Sequence, residues 1–188
     1  MQKNISWLGQ DYHSLENCRI VFRESGYEIN GTINGNFAAG PYHVDYFIQT
    51  NQFWETLAFT IRCGLASNSY SLDFTSDGKG NWSINDQPAA QYHDCIDIDI
   101  SLTPFTNTLP IKRLKFVPHE KQRITVLYID VLEQQTRRID QLYTKLTETL
   151  YNYENASNDF QSLLIVDEDG LVVEYPNHFF RNSISPVA

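Results

Sequence analysis

Apolar and polar residues alternate along much of this chain with the period of two that marks β-strands half buried on one face. Tyr42, Val44, Tyr46 and Ile48 alternate with His43, Asp45 and Gln49, and Phe47 alone breaks the polar face. Across LAFTIRCGL, Leu57, Phe59, Ile61, Cys63 and Leu65 share one face while Ala58, Thr60 and Arg62 point the other way, which predicts a long strand. SLDFTS and NWSIN flank Asp77-Gly78-Lys79-Gly80, and SLLIVD and GLVVEY flank the turn around Glu168-Asp169. Both pairs have the glycine-containing connection of a tight hairpin.

ITVLYIDVL, from Ile124 to Leu132, is apolar on both alternating faces. That pattern predicts a central strand covered on each side, with burial by protein favoured over a bound apolar ligand. Residues 142–153 fit a helical stripe through Leu142, Leu146, Leu150 and Tyr153, but their threonines and tyrosines favour strand, and strand is the reading adopted. Ten to thirteen strands with few or no helices predict a mainly β fold. The expected architecture is one domain over 1–188, an antiparallel curved sheet forming a β-roll or partly closed barrel.

Composition adds limits. At 188 residues with 41% hydrophobic and 20% charged, the chain is globular and long enough to bury a core without metals or disulfides. It has no apolar run of membrane-spanning length and no secretory h-region, so a cytoplasmic protein without an integral membrane segment is expected. Cys18, Cys63 and Cys95 form no C-x-x-C pair, which predicts small buried thiols. A net charge of −9 with only scattered basic pairs argues against nucleic acid as a partner. The sequence does not fix an oligomeric state.

The candidate chemistry is concentrated between Cys95 and Leu114. In CIDIDIS, Ile96, Ile98 and Ile100 occupy one strand face and Asp97, Asp99 and Ser101 the other, with the carboxylates on roughly 7 Å centres. TPFTNTLPI follows, with two prolines and three threonines around Asn107, and reads as an extended loop rich in hydrogen-bonding groups. Lys112 and Arg113 bring positive charge within reach of the carboxylates if that loop folds back.

The run CIDIDISLTPFTNTLPIKRL closely resembles the signature of a bacterial family known as putative glycolipid-binding. ENCRI, Gly31, Tyr46 and Trp54 upstream, and Gln141, Tyr143 and VDEDGLVVEYPNHFFR downstream, extend the resemblance along most of the chain. Leu57 departs from it, standing near where the family is expected to carry an arginine. The resemblance implies a curved β-roll, distantly similar to bacterial lipoprotein carriers, with a groove for an amphipathic ligand. It also singles out Tyr175 and Arg181 in the C-terminal motif.

Two readings of these residues stand side by side. As a binding module, Asp97, Asp99, Thr103, Thr106, Asn107 and Arg113 hold the polar head of a lipid or glycolipid, with Tyr175 and Arg181 nearby. As structure, the carboxylates anchor the following loop, Arg113 neutralises one of them, and Arg181 pairs with an acidic residue. The combined expectation is a strand and loop that satisfy themselves internally, with ligand contact at their margin.

Catalysis is disfavoured. Two carboxylates on one strand face project in parallel and cannot flank a glycosidic bond. His93, Asp94, Asp97 and Asp99 have poor spacing for a metal, and no nucleophile elbow or nucleotide fingerprint occurs. The expected function is a non-catalytic, cofactor-free binding protein for a lipid-like or glycolipid ligand. The alternative is a protein-interaction or scaffold domain, with hydrolase as a remote third.

Overall fold

The computed structural model describes residues 2–38, 40–65 and 68–187, the last two by backbone alone. The chain forms one 15-stranded sheet. A first meander runs through β1 (Gln2–Gly9), β2 (Ser14–Arg23), β3 (Gly26–Phe37), β4 (Gly40–Asn51), β5 (Thr56–Leu65), β6 (Asn68–Ser76), β7 (Trp82–Ile84) and β8 (Gln87–Pro88). The chain then crosses to the opposite edge for β9 (Asp97–Ile100). A second meander returns through β10 (Lys121–Asp130), β11 (Gln135–Lys145), β12 (Leu150–Asn155), β13 (Gln161–Val166), β14 (Val172–Tyr175) and β15 (Phe179–Val187). Antiparallel pairing of β15 with β1 joins the two halves.

The sheet curls without closing, since β8 and β9 remain its two edges. Side chains hold the curl instead. Trp82 Nε1 donates to the Cys95 carbonyl at 2.7 Å, and the Tyr70 hydroxyl donates to the Val131 carbonyl. Gly80 has φ +83°, and a Cβ there would lie 2.8 Å from the Asp94 backbone, so only glycine lets the 89–96 crossover pass this close. These features match the expected β-roll, and both predicted hairpins are present as β6–β7 and β13–β14.

Two buried clusters lie against the sheet. The first joins Ile5, Trp7, Ile33, Val44, Ile48 and Ile61 to Ile98, Ile100, Leu127 and Ile129. The second gathers Ile124, Val126, Ile139, Tyr143, Tyr153, Tyr175 and Phe179. From Ile124 onward β10 buries Leu127 and Ile129 in the first cluster and Ile124 and Val126 in the second, which is why that stretch is apolar on both faces and is covered by protein there. Cys18, Cys63 and Cys95 are free, buried thiols.

Two local expectations are corrected. The extended loop after β9 is instead a 3-10 turn, Phe105–Asn107, running into the helix α1 (Thr108–Arg113). The reason is topological: β9 and β10 pair in parallel, and a parallel pair needs a crossover, which residues 101–120 supply. Pro110 is compatible with it because it falls in the helix's first turn, where the missing N–H would have had no partner. Leu109 then packs into the first cluster and Ile111 into the second. The other correction concerns 142–153, which is not one strand: β11 and β12 are separated by a turn closed by Leu146 N–H on the Leu150 carbonyl at 2.8 Å. The leucine spacing that mimicked a helix there spans a hairpin.

Candidate functional site

The segment from Asp97 to Arg113 is clasped from both sides. Toward the first cluster, the Thr103 hydroxyl donates to Glu16 Oε1 at 2.7 Å, and the Tyr46 hydroxyl donates to the same oxygen. Toward the second, Gln141 Nε2 donates to Asp99 Oδ2 at 2.6 Å, and the Tyr143 hydroxyl donates to Asn107 Oδ1 at 2.9 Å. Within the segment, the Thr106 hydroxyl donates to Asp99 Oδ1 at 3.1 Å and accepts from the Ile100 N–H. Glu16, Tyr46, Gln141 and Tyr143 were all part of the family resemblance, and their shared task here is to fix this segment.

Asp97 is fully buried and held by Arg113 through two bonds, Nε to Oδ1 at 3.1 Å and Nη2 to Oδ2 at 2.6 Å. Burial pushes the Asp97 carboxyl above its usual range, and the guanidinium opposes that rise. Arg181 is likewise engaged, donating to Asp167 Oδ2 at 2.6 Å. Asp99 is anchored by side chains and not by the backbone N–H groups of the loop. Burial also raises its carboxyl, against the lowering effect of Gln141 and Thr106.

Beside Asp99 the surface opens into a cavity of about 240 Å³. Asp99, Thr103, Asn107 and Tyr175 line it, so four of the residues singled out in the sequence converge there. Thr106 stands behind Asp99, while Asp97, Arg113 and Arg181 are not in the lining. Tyr12, Tyr128, Tyr153, Phe160 and Phe179 complete aromatic walls, with Asn155 and Asn158 among the polar lining and His178 Nδ1 hydrogen-bonded to Asp11 Oδ2 at 2.5 Å.

Sequence reasoning missed Asp11, Tyr12, Tyr128, Tyr153, Asn155, Asn158, Phe160 and His178. They come from four separate parts of the chain, and only the aromatic richness of the sequence hinted at such a wall. Tyr12, Tyr128, Tyr153 and Tyr175 line the cavity, and their hydroxyls make no side-chain hydrogen bond to another described residue, in contrast to those of Tyr46 and Tyr143. Burial raises all four phenols, and the Asp99 charge raises each further, so they stay protonated as donors around neutrality.

His93 and Asp94 pair with each other at the surface, apart from buried Asp97. Among the described residues, no three His, Cys, Asp or Glu side chains converge as a metal would require. No helix among them is long and apolar enough to cross a membrane.

The sequence model of the family described as putative glycolipid-binding matches residues 4–181. The fold is similar to the crystal structure of a DUF1089 family protein from Pseudomonas aeruginosa, with a TM-score of 0.82 and 31% identity over 89% of this chain and 91% of that one. No curated protein of assigned function matches the chain.

Proposed function

The chain belongs to the putative glycolipid-binding family, and on that premise we propose that it is a non-catalytic binding protein whose tyrosine-walled cavity receives the polar head of a glycolipid or lipid-like molecule. The observation that carries this reading is Asp99, fixed by Thr106 and Gln141 and lining one cavity together with four tyrosines whose hydroxyls make no side-chain hydrogen bond to another described residue. A carboxylate and phenols exchange hydrogen bonds with hydroxyl groups, and aromatic faces take the apolar face of a sugar ring.

The size of the cavity supports a head group and not a tail. About 240 Å³ lies below the ~300–1,000 Å³ of sites that enclose drug-sized molecules, so an acyl chain would lie outside it. Asp97 faces Arg113 and not a second carboxylate or a histidine, so a hydrolase centred on Asp97 draws no support. The scaffold alternative draws on the same ion pair and on Arg181–Asp167, since both are satisfied within the protein.

Native mass spectrometry of the purified full chain, with lipid extraction and glycoside titration, tests the proposal. The expected result is a bound glycolipid or a saturable glycoside shift that Tyr175→Ala and Asp99→Asn weaken. Absence of any bound lipid or glycoside, or equal binding by both variants, would leave the scaffold reading.

A further inference from the structure

We propose that the group selected by this cavity is an organic cation, an amine or a quaternary ammonium carried on the ligand's head. This deepens the head-group reading above and rests on it.

The walls are rings set at angles to one another and not a single stacking platform. Tyr153 and Tyr175 meet edge-on with centroids 6.1 Å apart, Phe160 tilts on Tyr175 at 6.3 Å, and Phe179 bridges Tyr175 and Tyr12 at 6.3 and 6.4 Å. Rings inclined in this way surround a compact group from several directions. Their negative faces attract a cation within about 6 Å of a centroid, and more strongly where water is partly excluded.

Charge points the same way. Asp99 and Asp11 both line the cavity, and no Lys or Arg does. Two basic side chains do come near: His178, whose Nδ1 is bonded to Asp11, and Arg137, which lies 5.1 Å from the Tyr128 ring centroid without entering the lining. The Asp99 carboxylate has donors from Thr106 and Gln141 but no counter-charge, unlike Asp97 with Arg113. After burial, the Asp99 charge is among the causes that raise Tyr12, Tyr128, Tyr153 and Tyr175, as expected of phenols gathered round one carboxylate. An anionic head such as a phosphate or uronate would meet two carboxylates and, of basic groups, His178 alone, already engaged by Asp11.

The amide oxygens of the lining are taken. Asn107 spends its Oδ1 on Tyr143 and its Nδ2 on the Pro104 carbonyl, while the side-chain oxygens of Asn155 and Asn158 accept from the Ser157 and Phe160 N–H groups, so the Asn155 and Asn158 amide N–H groups are left to meet a ligand's oxygens. Among the lining carboxylates, Asp11 is taken up by His178, and Asp99 is the one whose side-chain partners are all neutral, so it is Asp99 that a ligand's positive charge would meet.

The test uses the full chain in paired NMR titrations at low salt and neutral pH. Choline is compared with its neutral isostere 3,3-dimethylbutan-1-ol, and methyl glucosaminide with methyl glucoside and methyl glucuronide. The expected result is that at least one cationic probe binds about tenfold more tightly than its neutral partner, the size of one desolvated cation–π contact. Preference for the glucosaminide identifies an amino sugar, and preference for choline a quaternary ammonium. Asp99→Asn should remove the preference while circular dichroism shows the fold retained, and Tyr175→Phe should keep it.

Equal or tighter binding of the neutral member in both pairs overturns the cation inference and leaves the head-group reading standing. Tighter binding of the glucuronide overturns it outright. Failure of every probe to bind overturns both.

Discussion

The Tyr46 hydroxyl reaches the buried carboxylate of Glu16 from two strands away, crossing β3 directly over Gly31. Glu16 has Thr103 as a second donor, yet its other oxygen, Oε2, has no protein partner. Burial without a counter-charge outweighs both hydrogen bonds and pushes the Glu16 carboxyl from an ordinary 4.5 up to about 7.

The sign of the resulting pH dependence follows. Between about 4.5 and about 7 the folded chain holds a proton on Glu16 that the unfolded chain has lost, so stability falls as pH rises through that window and levels off above it. The expected loss is on the order of 3 kcal/mol. Glu28, Asp45, Asp77 and Asp140 are lowered and oppose this trend only at more acid pH. Urea unfolding at a series of pH values checks the prediction: Glu16→Gln should flatten the slope, and a variant that retains it would place its origin elsewhere.

Gly31 is required by that crossing. A Cβ at this position would lie 2.0 Å from the Tyr46 ring, so Gly31→Ala must displace the ring and break its bond to Glu16. The expected cost is about 1–3 kcal/mol. In a Tyr46→Ala background the same substitution should cost much less, because the obstructing ring is gone. A double-mutant cycle by thermal or urea unfolding measures this coupling, and additive costs would refute the steric explanation.

The strands were legible where one face is buried, as in Tyr42 to Ile48, because a period of two registers directly in the sequence. β10 was legible for the opposite reason, since clusters on both its sides make it apolar throughout. The helix α1 was not, because its cause lies in the parallel pairing of β9 with β10, and no local pattern reports which strands will pair. Half of the cavity was hidden for a similar reason. Asp99, Thr103 and Asn107 share one motif, but Tyr12, Tyr128, Tyr153 and Phe160 meet only after two meanders have folded together. Tyr175 was reached through the resemblance alone.

Arg113 and Asp97 should behave as a buried ion pair. Removing the guanidinium by Arg113→Ala leaves a fully buried carboxylate without its cation, and the expected destabilisation is about 3–5 kcal/mol. Arg113→Ala combined with Asp97→Asn should recover part of that loss, since the charge that must be desolvated is then absent. Equilibrium unfolding of the two variants and the parent decides it. A double variant no more stable than Arg113→Ala alone would show that the arginine acts through packing and not through charge.

Gln141 connects the rigid side of the site to its open side. Its amide donates to Asp99 Oδ2 at 2.6 Å, and its Oε1 accepts from the Tyr143 hydroxyl at 3.3 Å. Replacing it with leucine removes a donor that favours the charged form of Asp99, leaving burial opposed only by Thr106. The Asp99 carboxyl should therefore titrate at higher pH in Gln141→Leu than in the parent, and the variant should be less stable by about 1–3 kcal/mol. Side-chain carboxyl NMR through a pH series reads the titration directly. Because a protonated Asp99 can no longer supply negative charge to the cavity, any ligand that depends on that charge should lose affinity at a correspondingly higher pH. An unmoved Asp99 titration would mean that Gln141 positions the strand without tuning the carboxylate.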